Sequence, residues 1–321
     1  MSATPNMLAI RSAVRVWLEK FEAGDAIIVA VSGGADSLAL VFALAQEAPK
    51  KSVGVIGVTI DHQLQSGSGD QAKKVVEQLK TIGILTHVVQ VKVEITQGME
   101  ASARKARYEA LDKVALQESA VAIFLGHTRD DQAESVLLGL GRGSGTRSLS
   151  AMAAQNGKYI RPLLSITREQ SVGACAEVNL IPWVDSHNYD KQFARVRVRL
   201  EAIPILEKTI GPGISAALAR SADLLRDDAD ALDAWAAREM VGMELHDLDC
   251  KILESLPRAI RTRILKVAIY AAGAPSGAVN AEHVSAVEAL VTAWSGQGAA
   301  HLPGNVKVER FSGRLSLLRQ P

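Results

Sequence analysis

Residues 26–41 read AIIVAVSGGADSLALV, and their order decides the fold. Ala26 to Val31 form an unbroken apolar run, the pattern of a strand buried on both faces. The chain then passes through Ser32-Gly33-Gly34-Ala35-Asp36-Ser37 into Leu38-Ala39-Leu40-Val41, which starts a helix. Strand, glycine turn and helix together make an anion site. Glycines adopt backbone angles closed to other residues and let a ligand approach the main chain. The unpaired amides of the following helix, at its positive dipole end, point at the incoming negative group. The segment is not the Walker loop, which closes with Gly-Lys-Ser/Thr, because no lysine lies between Gly24 and Gln46. Two serines and an aspartate crowded at the turn fit a phosphate ligand better than a packing corner.

Working outward, apolar runs at 26–31, 53–60, 87–93 and 121–126 read as strands, with helical patterns at about 36–47, 68–82 and 100–118 between them. Strands alternating with helices predict an α/β domain, a doubly wound parallel sheet. Ligands in such sheets bind beyond the carboxyl ends of the strands. Ser32, then Asp61 and His62, then His127 all fall at those ends. After Arg199 the chain becomes Ala- and Leu-rich with helical spacing, and VKVERFSGRLSLL near its end alternates around Ser312-Gly313 as a β-hairpin does. The expected organisation is a catalytic nucleotide-binding domain over 1–200 and a smaller, mostly helical domain over 201–321 that ends in a hairpin.

Composition bounds the function classes. In 321 residues, 48% are hydrophobic and 22% charged, with no apolar run near the ~20 residues of a membrane span. The N-terminus lacks a signal-peptide core, so a cytoplasmic protein without a membrane partner is expected. Cys175 and Cys250 stand too far apart in sequence for a C-x-x-C pair. The net charge of +1 hides a basic stretch from Arg142 to Arg199, where nine Lys or Arg face four acids. Such a local excess suits a polyanion.

Two further segments carry chemistry. GMEASARKARYEAL places Arg104 and Arg107 three apart on one helix face, where two guanidiniums suit phosphate oxygens. In GHTRDDQAESVLLGLGRGSG, His127 closes a strand and Asp130, Asp131 and Glu134 crowd the first turns of the next helix. Helix capping accounts for one such carboxylate. The others could bind Mg2+ or a cationic amine.

These segments resemble one family, the tRNA(Ile)-lysidine synthetases, within the pyrophosphate-loop ATP pyrophosphatases. The family's pattern is SGGxDS, DHxLR, A-R-x-x-R-Y, GHTxDDQAET, RGSG, RPLL, and an aspartate-rich stretch ending R-N-x-x-R. This chain carries Ser32 to Ser37, Asp61-His62-Gln63-Leu64-Gln65, Ala103 to Tyr108, Gly126 to Ser135, Arg142 to Gly145, Arg161 to Leu164, and Asp185 to Asn188 leading to Arg195-Val196-Arg197-Val198-Arg199. Gln65, Ser135 and Val196 depart from the pattern's Arg, Thr and Asn. The match spans about residues 20–200, and the later region is similar to the family's first C-terminal domain, so a short form without the last domain is expected.

The resemblance implies a reaction. ATP would adenylate the C2 oxygen of the wobble cytidine in an isoleucine tRNA with a CAU anticodon, and the ε-amine of L-lysine would displace AMP, giving lysidine and pyrophosphate. By the same resemblance, Ser32, Gly33, Gly34, Ala35, Asp36 and Ser37 hold the triphosphate with Asp61 and His62 nearby, and Asp36 holds Mg2+. Asp131 and Glu134 receive the lysine ammonium and His127 lies near the adenylate. Arg107 or Arg104, and Arg195, meet phosphate or developing negative charge. tRNA phosphates would meet the Arg142 to Arg199 stretch and Arg258, Arg261 and Arg263, which makes the 201–321 domain the expected tRNA-contacting one. The apolar helices after residue 200 suit either a core or a homodimer surface. Two alternatives are a tRNA thiolase with the same loop, disfavoured by the lack of paired cysteines, and a non-catalytic ATP-binding protein, disfavoured by the clustered acids.

Overall fold

The computed structural model describes residues 5–61, 68–91, 99–143, 145–275 and 277–320. The chain divides into two compact units, Met1–Leu224 and Leu225–Pro321, later than the change of sequence texture near residue 200.

In the first unit, strands β1 (Ala26–Ala30), β2 (Gly54–Asp61), β3 (Leu85–Gln90) and β4 (Ala122–Leu125) alternate with helices α1 (Pro5–Leu18), α2 (Ala35–Glu47), α3 (Ser68–Thr81) and α4 (Met99–Gln117). Helix α5 (Arg129–Gly141), the short α6 (Thr146–Leu149), strands β5 (Gln155–Asn156) and β6 (Tyr159–Ile160), and helix α7 (Arg168–Glu177) follow. Among the described residues the sheet order is β3-β2-β1-β4-β6-β5, parallel except for β5 against β6. The order runs outward from β1 to β3 and then resumes on the other side of β1 at β4. That reversal opens the binding crevice at the carboxyl ends of β1 and β4.

Strand β1 shows why the sheet is covered on both faces. Ile27, Val29 and Val31 pack into a core with α1, α2 and α7, while Ile28 and Ala30 pack with Leu111, Val114 and Ala115 of α4. Successive side chains alternate between faces, so an unbroken apolar run needs two cores. Helix α1, for which the sequence pattern gave no expectation, is tied to α2 through Arg11 and Arg15, both bonded to the buried Glu47.

Past α7 come α8 (Ala194–Arg197), a π-turn at Val198–Ala202, and α9 (Ile203–Thr209) as one continuous helical run. Pro204 explains the π-turn, since it has no amide to donate and crowds the carbonyl four residues back. The Ile203 amide reaches Val198 O, five residues earlier.

The boundary between the units falls within α10 (Ile214–Glu239). The second unit then holds β7 (Asp247–Asp249), α11 (Cys250–Ser255), α12 (Arg258–Ala271), α13 (Ala281–Thr292), β8 (Ala300–Leu302), β9 (Val306–Phe311) and β10 (Arg314–Arg319). β9 and β10 form the expected hairpin through Ser312 (φ 49°) and Gly313 (φ 79°), both left-handed as a two-residue hairpin turn requires. The hairpin is the middle of a four-stranded antiparallel sheet, β7-β10-β9-β8. β7 and β8 are three residues each, too short for alternation to reveal.

Candidate active site

The phosphate loop joins β1 to α2. Gly33 has φ +85°, and a Cβ there would lie 2.8 Å from Val75 Cγ2, so both backbone and space demand glycine. Gly34 differs from expectation, taking an ordinary extended conformation (φ −72°, ψ 162°) as N-cap of α2. The two serines tie the loop together. The Ser37 hydroxyl donates to Gly34 O at 2.9 Å and accepts from the Ser32 amide at 3.2 Å. Ser32 is exposed above it, and Ala35 begins the helix. Gly126, closing β4, approaches the loop so nearly that a Cβ would sit 3.1 Å from the Asp36 carbonyl.

Asp36 lies in the first turn of α2 with Oδ1 buried and unbonded. Burial pushes its carboxyl up to about 6, with Asp131 and Asp130 adding and Ser171 and Arg168 opposing. A buried acceptor lacking a donor, held among other acids, suits a cation. Among the described residues no group of three His, Cys, Asp or Glu side chains forms a ready metal cage. Asp36 offers one oxygen ligand of the kind Mg2+ takes, and other groups would have to complete the shell. Asp61 is buried at the carboxyl end of β2, while His62, Gln63, Leu64, Gln65 and Ser144 lie outside the described residues.

The start of α5 supplies the acids. The Thr128 amide (2.8 Å) and hydroxyl (3.1 Å) both donate to Asp131 Oδ2, making Asp131 part of the cap. Its other oxygen faces Arg168 at 3.3 Å. Burial would raise the Asp131 carboxyl, but Arg168, the Thr128 amide and Arg195 hold it below its ordinary value. Asp130 Oδ2 accepts from the Arg168 amide at 2.8 Å. Glu134 is fully buried, with Arg199 Nε 2.6 Å and Nη2 3.0 Å from its two oxygens and Arg195 Nε 3.0 Å away. Arg195 also donates from Nη2 to Ser135 Oγ at 2.8 Å. Thus Arg195, expected at a phosphate, rests against Glu134, and Arg199 one turn later shares that seat.

Beside the acids stands a second, cationic group. Arg104 Nη2 (3.1 Å) and Arg161 Nη2 (3.3 Å) both donate to the Tyr108 hydroxyl. Arg107 lies in the same cluster, where burial, Arg104 and Arg161 lower its pKa. Among the described residues Arg104, Arg107 and Arg161 have no carboxylate ion-pair partner, the condition under which guanidiniums are available to an anion. His127 adjoins both groups. Burial pushes its imidazole down to about 3, with Arg107, Arg161 and Arg104 reinforcing this against Asp131, so it is neutral near pH 7.

The sequence pattern left α7 unpredicted. Thr167-Arg168-Glu169-Gln170 is a capping box, with Gln170 N donating to Thr167 Oγ1 at 3.0 Å and Thr167 N to Gln170 Oε1 at 2.9 Å. That motif before an apolar run marks a helix start, and this helix brings Arg168, Ser171 and Cys175 to the phosphate loop.

The basic surface also changes character. Of the nine cations between Arg142 and Arg199, Arg161, Arg168, Arg195 and Arg199 are buried or half-buried, leaving Arg142, Arg147, Lys158, Lys191 and Arg197 exposed. In the second unit, Arg261 is buried and donates to Glu288 Oε1 at 2.9 Å and to Leu256 O at 2.9 Å. Arg258 pairs with the same Glu288 and Arg263 with Asp233. Arg261 is thus an internal strut and not a docking residue.

Comparison with known proteins agrees with this geometry. A PP-loop domain model matches residues 9–206, and a TilS substrate binding domain model matches residues 248–316. The chain is 50% identical over 319 residues to a tRNA(Ile)-lysidine synthase of Thermobifida fusca, covering 98% of both chains. It is 51% identical over 300 residues to one of Streptomyces coelicolor, covering 92% of this chain and 85% of the relative. Among solved structures, a U34-tRNA thiolase of Methanococcus maripaludis has a similar fold, with TM-score 0.59 at 20% identity over 69% of this chain and 80% of that one. On the match of both domain models and of near full-length relatives, the chain belongs to the tRNA(Ile)-lysidine synthase family.

Proposed function

We propose that the protein is an ATP-dependent ligase that converts the wobble cytidine of an isoleucine tRNA to lysidine. The observation that carries this reading is one crevice holding a phosphate loop, a buried acid cluster and a group of arginines that have no carboxylate partner among the described residues. Each part has a step to serve. A cytosine carbonyl oxygen is a poor leaving group and AMP a good one, so the base must first be adenylated.

The loop from Ser32 to Ser37 and the amides at the start of α2 receive the triphosphate. Asp36 would hold Mg2+, which would supply charge neutralisation to the triphosphate. Arg107, with Arg104 and Arg161, faces the charge that develops as pyrophosphate separates. His127, being neutral, serves as a hydrogen-bond partner to the adenylate more readily than as a cation. Asp131, whose Oδ1 has Arg168 at 3.3 Å and Arg199 at 3.9 Å, is held less tightly than Glu134 and is the acid that would take the lysine ammonium. Glu134 forms the floor of that pocket and seats Arg195 and Arg199. Lysine attacks through a free amine, so the pocket must also draw off a proton.

The thiolase alternative gains nothing from the shared fold, since Cys175 and Cys250 are buried singly in different units. Among the described residues no helix is long and apolar enough to cross a membrane, and the cytoplasm, where tRNA is modified, is the proposed compartment. Homodimerisation would give twice the 34.2 kDa chain mass in sedimentation velocity. Pyrophosphate release and lysine incorporation, measured with an isoleucine tRNA transcript bearing CAU, test the function. Release without any lysine incorporation at saturating lysine would overturn it.

A further inference from the structure

We propose that Arg168 is a positioning residue that locks the phosphate-loop acid Asp36 and the amine-pocket acids Asp131 and Glu134 into one unit, so that the nucleotide and lysine sites share a counter-ion. This deepens the proposed function and rests on its assignment of the two sites.

The geometry is that of a three-way bridge. Nε of Arg168 lies 3.7 Å from Asp36 Oδ2, Nη2 3.3 Å from Asp131 Oδ1, and Nη1 3.5 Å from Glu134 Oε1. Each guanidinium nitrogen faces a different carboxylate, an arrangement that a planar fork supplies and a single ammonium does not. The neighbouring cations behave differently. Arg199 commits Nε and Nη2 to Glu134 and stands 3.9 Å from Asp131, and Arg195 reaches Glu134 and Ser135, all on α5. Among the described residues Arg168 is the one cation ion-paired with Asp36, and it alone bridges α2 and α5.

The backbone beneath the side chain is fixed as well. The Arg168 amide donates to Asp130 Oδ2 at 2.8 Å, and the Arg129 amide donates to Ile166 O at 2.9 Å, latching the starts of α5 and α7 together. Ser171 and Cys175 follow Arg168 on the same face of α7. Ser171 is fully buried against the Asp36 carboxylate, and Cys175 Sγ donates to Ala35 O at 3.4 Å. One face of α7 therefore braces the phosphate loop, with Arg168 at the end nearest the acids. Three carboxylates this close repel one another, and removing their shared cation lets them separate. The Arg168 side chain is 29% exposed, so it borders the crevice and not the deep core.

The experiment uses the full chain with Arg168→Ala and Arg168→Lys. Melting curves report folding, steady-state kinetics give KM for ATP, KM for lysine and kcat, and calorimetry reads ATP and lysine binding without turnover. Arg168→Ala should raise both KM values, each by roughly tenfold or more, with a smaller change in kcat. Arg168→Lys should restore the melting temperature and leave both KM values raised, because one ammonium cannot face three acids. A shift in only one KM, full recovery of both by lysine, or a change confined to melting temperature would overturn the bridge. If Arg168→Ala fails to fold, the lysine variant decides alone. An inactive wild-type enzyme would refute the functional reading, while ATP affinity in the Arg168 variants still judges the pairing with Asp36.

Discussion

Arg199 grips Glu134 with two nitrogens, Nε at 2.6 Å and Nη2 at 3.0 Å, and the carboxylate is fully buried beneath it. A carboxylate held this way anchors arginines first and has little left for a substrate ammonium. Its removal should therefore act on the whole site.

Glu134→Gln keeps the shape and loses the charge that seats Arg195 and Arg199. Breaking a buried pair costs about 3–5 kcal/mol, and partial exposure of the arginines (22–29%) brings the expected loss to about 2–3 kcal/mol. Adenylation and lysine transfer should fall together when assayed with labelled ATP and labelled lysine separately. Selective loss of lysine transfer in a stably folded variant would reassign Glu134 to the amine itself.

Asp36 should trade stability for function. Its folded pKa of about 6 lies above the ordinary 3.8, so the folded state binds the proton more tightly than the unfolded chain does. The stabilising contribution of the protonated form is thus fully present below pH ~4 and is lost as pH rises through about 6. Asp36→Asn removes that penalty, and the variant should gain up to about 2–3 kcal/mol over wild type above pH 6, with little gain near pH 4. Adenylation should fall on the order of a hundredfold or more. Denaturant melts from pH 4 to 8 without Mg2+ check the sign, and a variant less stable than wild type at pH 8 would contradict it.

How far the sequence reaches is clear from particular residues. Ser32 to Ser37 and Gly126 to Glu134 are legible because strand ends and helix starts carry local signals, and the parallel sheet converts those ends into one crevice. The roles of Arg195, Arg199 and Arg261 are not, since an arginine spaced along a helix looks the same whether it faces solvent, phosphate or a buried acid. Glu288 lies 27 residues from Arg261, and only tertiary structure joins them. Arg168 escapes for the same reason, although the capping box beside it announces the helix.

Arg261 and Arg258 share Glu288 but not its burial, and they should separate in a stability assay. The Arg261 side chain is 11% exposed and also caps the carbonyl of Leu256, whereas that of Arg258 is 70% exposed. Arg261→Ala should cost about 2–4 kcal/mol by leaving Glu288 buried without its main partner. Arg258→Ala should cost about 0–1 kcal/mol. Urea midpoints of the two single variants provide the measurement, and equal losses would remove the distinction.

Among the exposed cations of the first unit, Arg142 and Arg147 are the ones expected to meet tRNA phosphates. Helix α5 links them to the chemistry: His127, Asp131 and Glu134 cluster at its start, and Arg142 caps its end after 13 residues. At 1.5 Å per residue the helix sets Arg142 about 12–16 Å along its axis from Glu134 and Asp131. Cations that neutralise phosphates carry affinity, and each releases counterions. The double change Arg142→Ala and Arg147→Ala should weaken tRNA binding without altering ATP affinity. It should also lower the log-log salt slope by roughly 0.7–0.9 for each phosphate left without its arginine. Filter binding across a salt series separates the outcomes, and an unchanged slope in the double variant would shift tRNA docking to Lys158, Lys191 and Arg197.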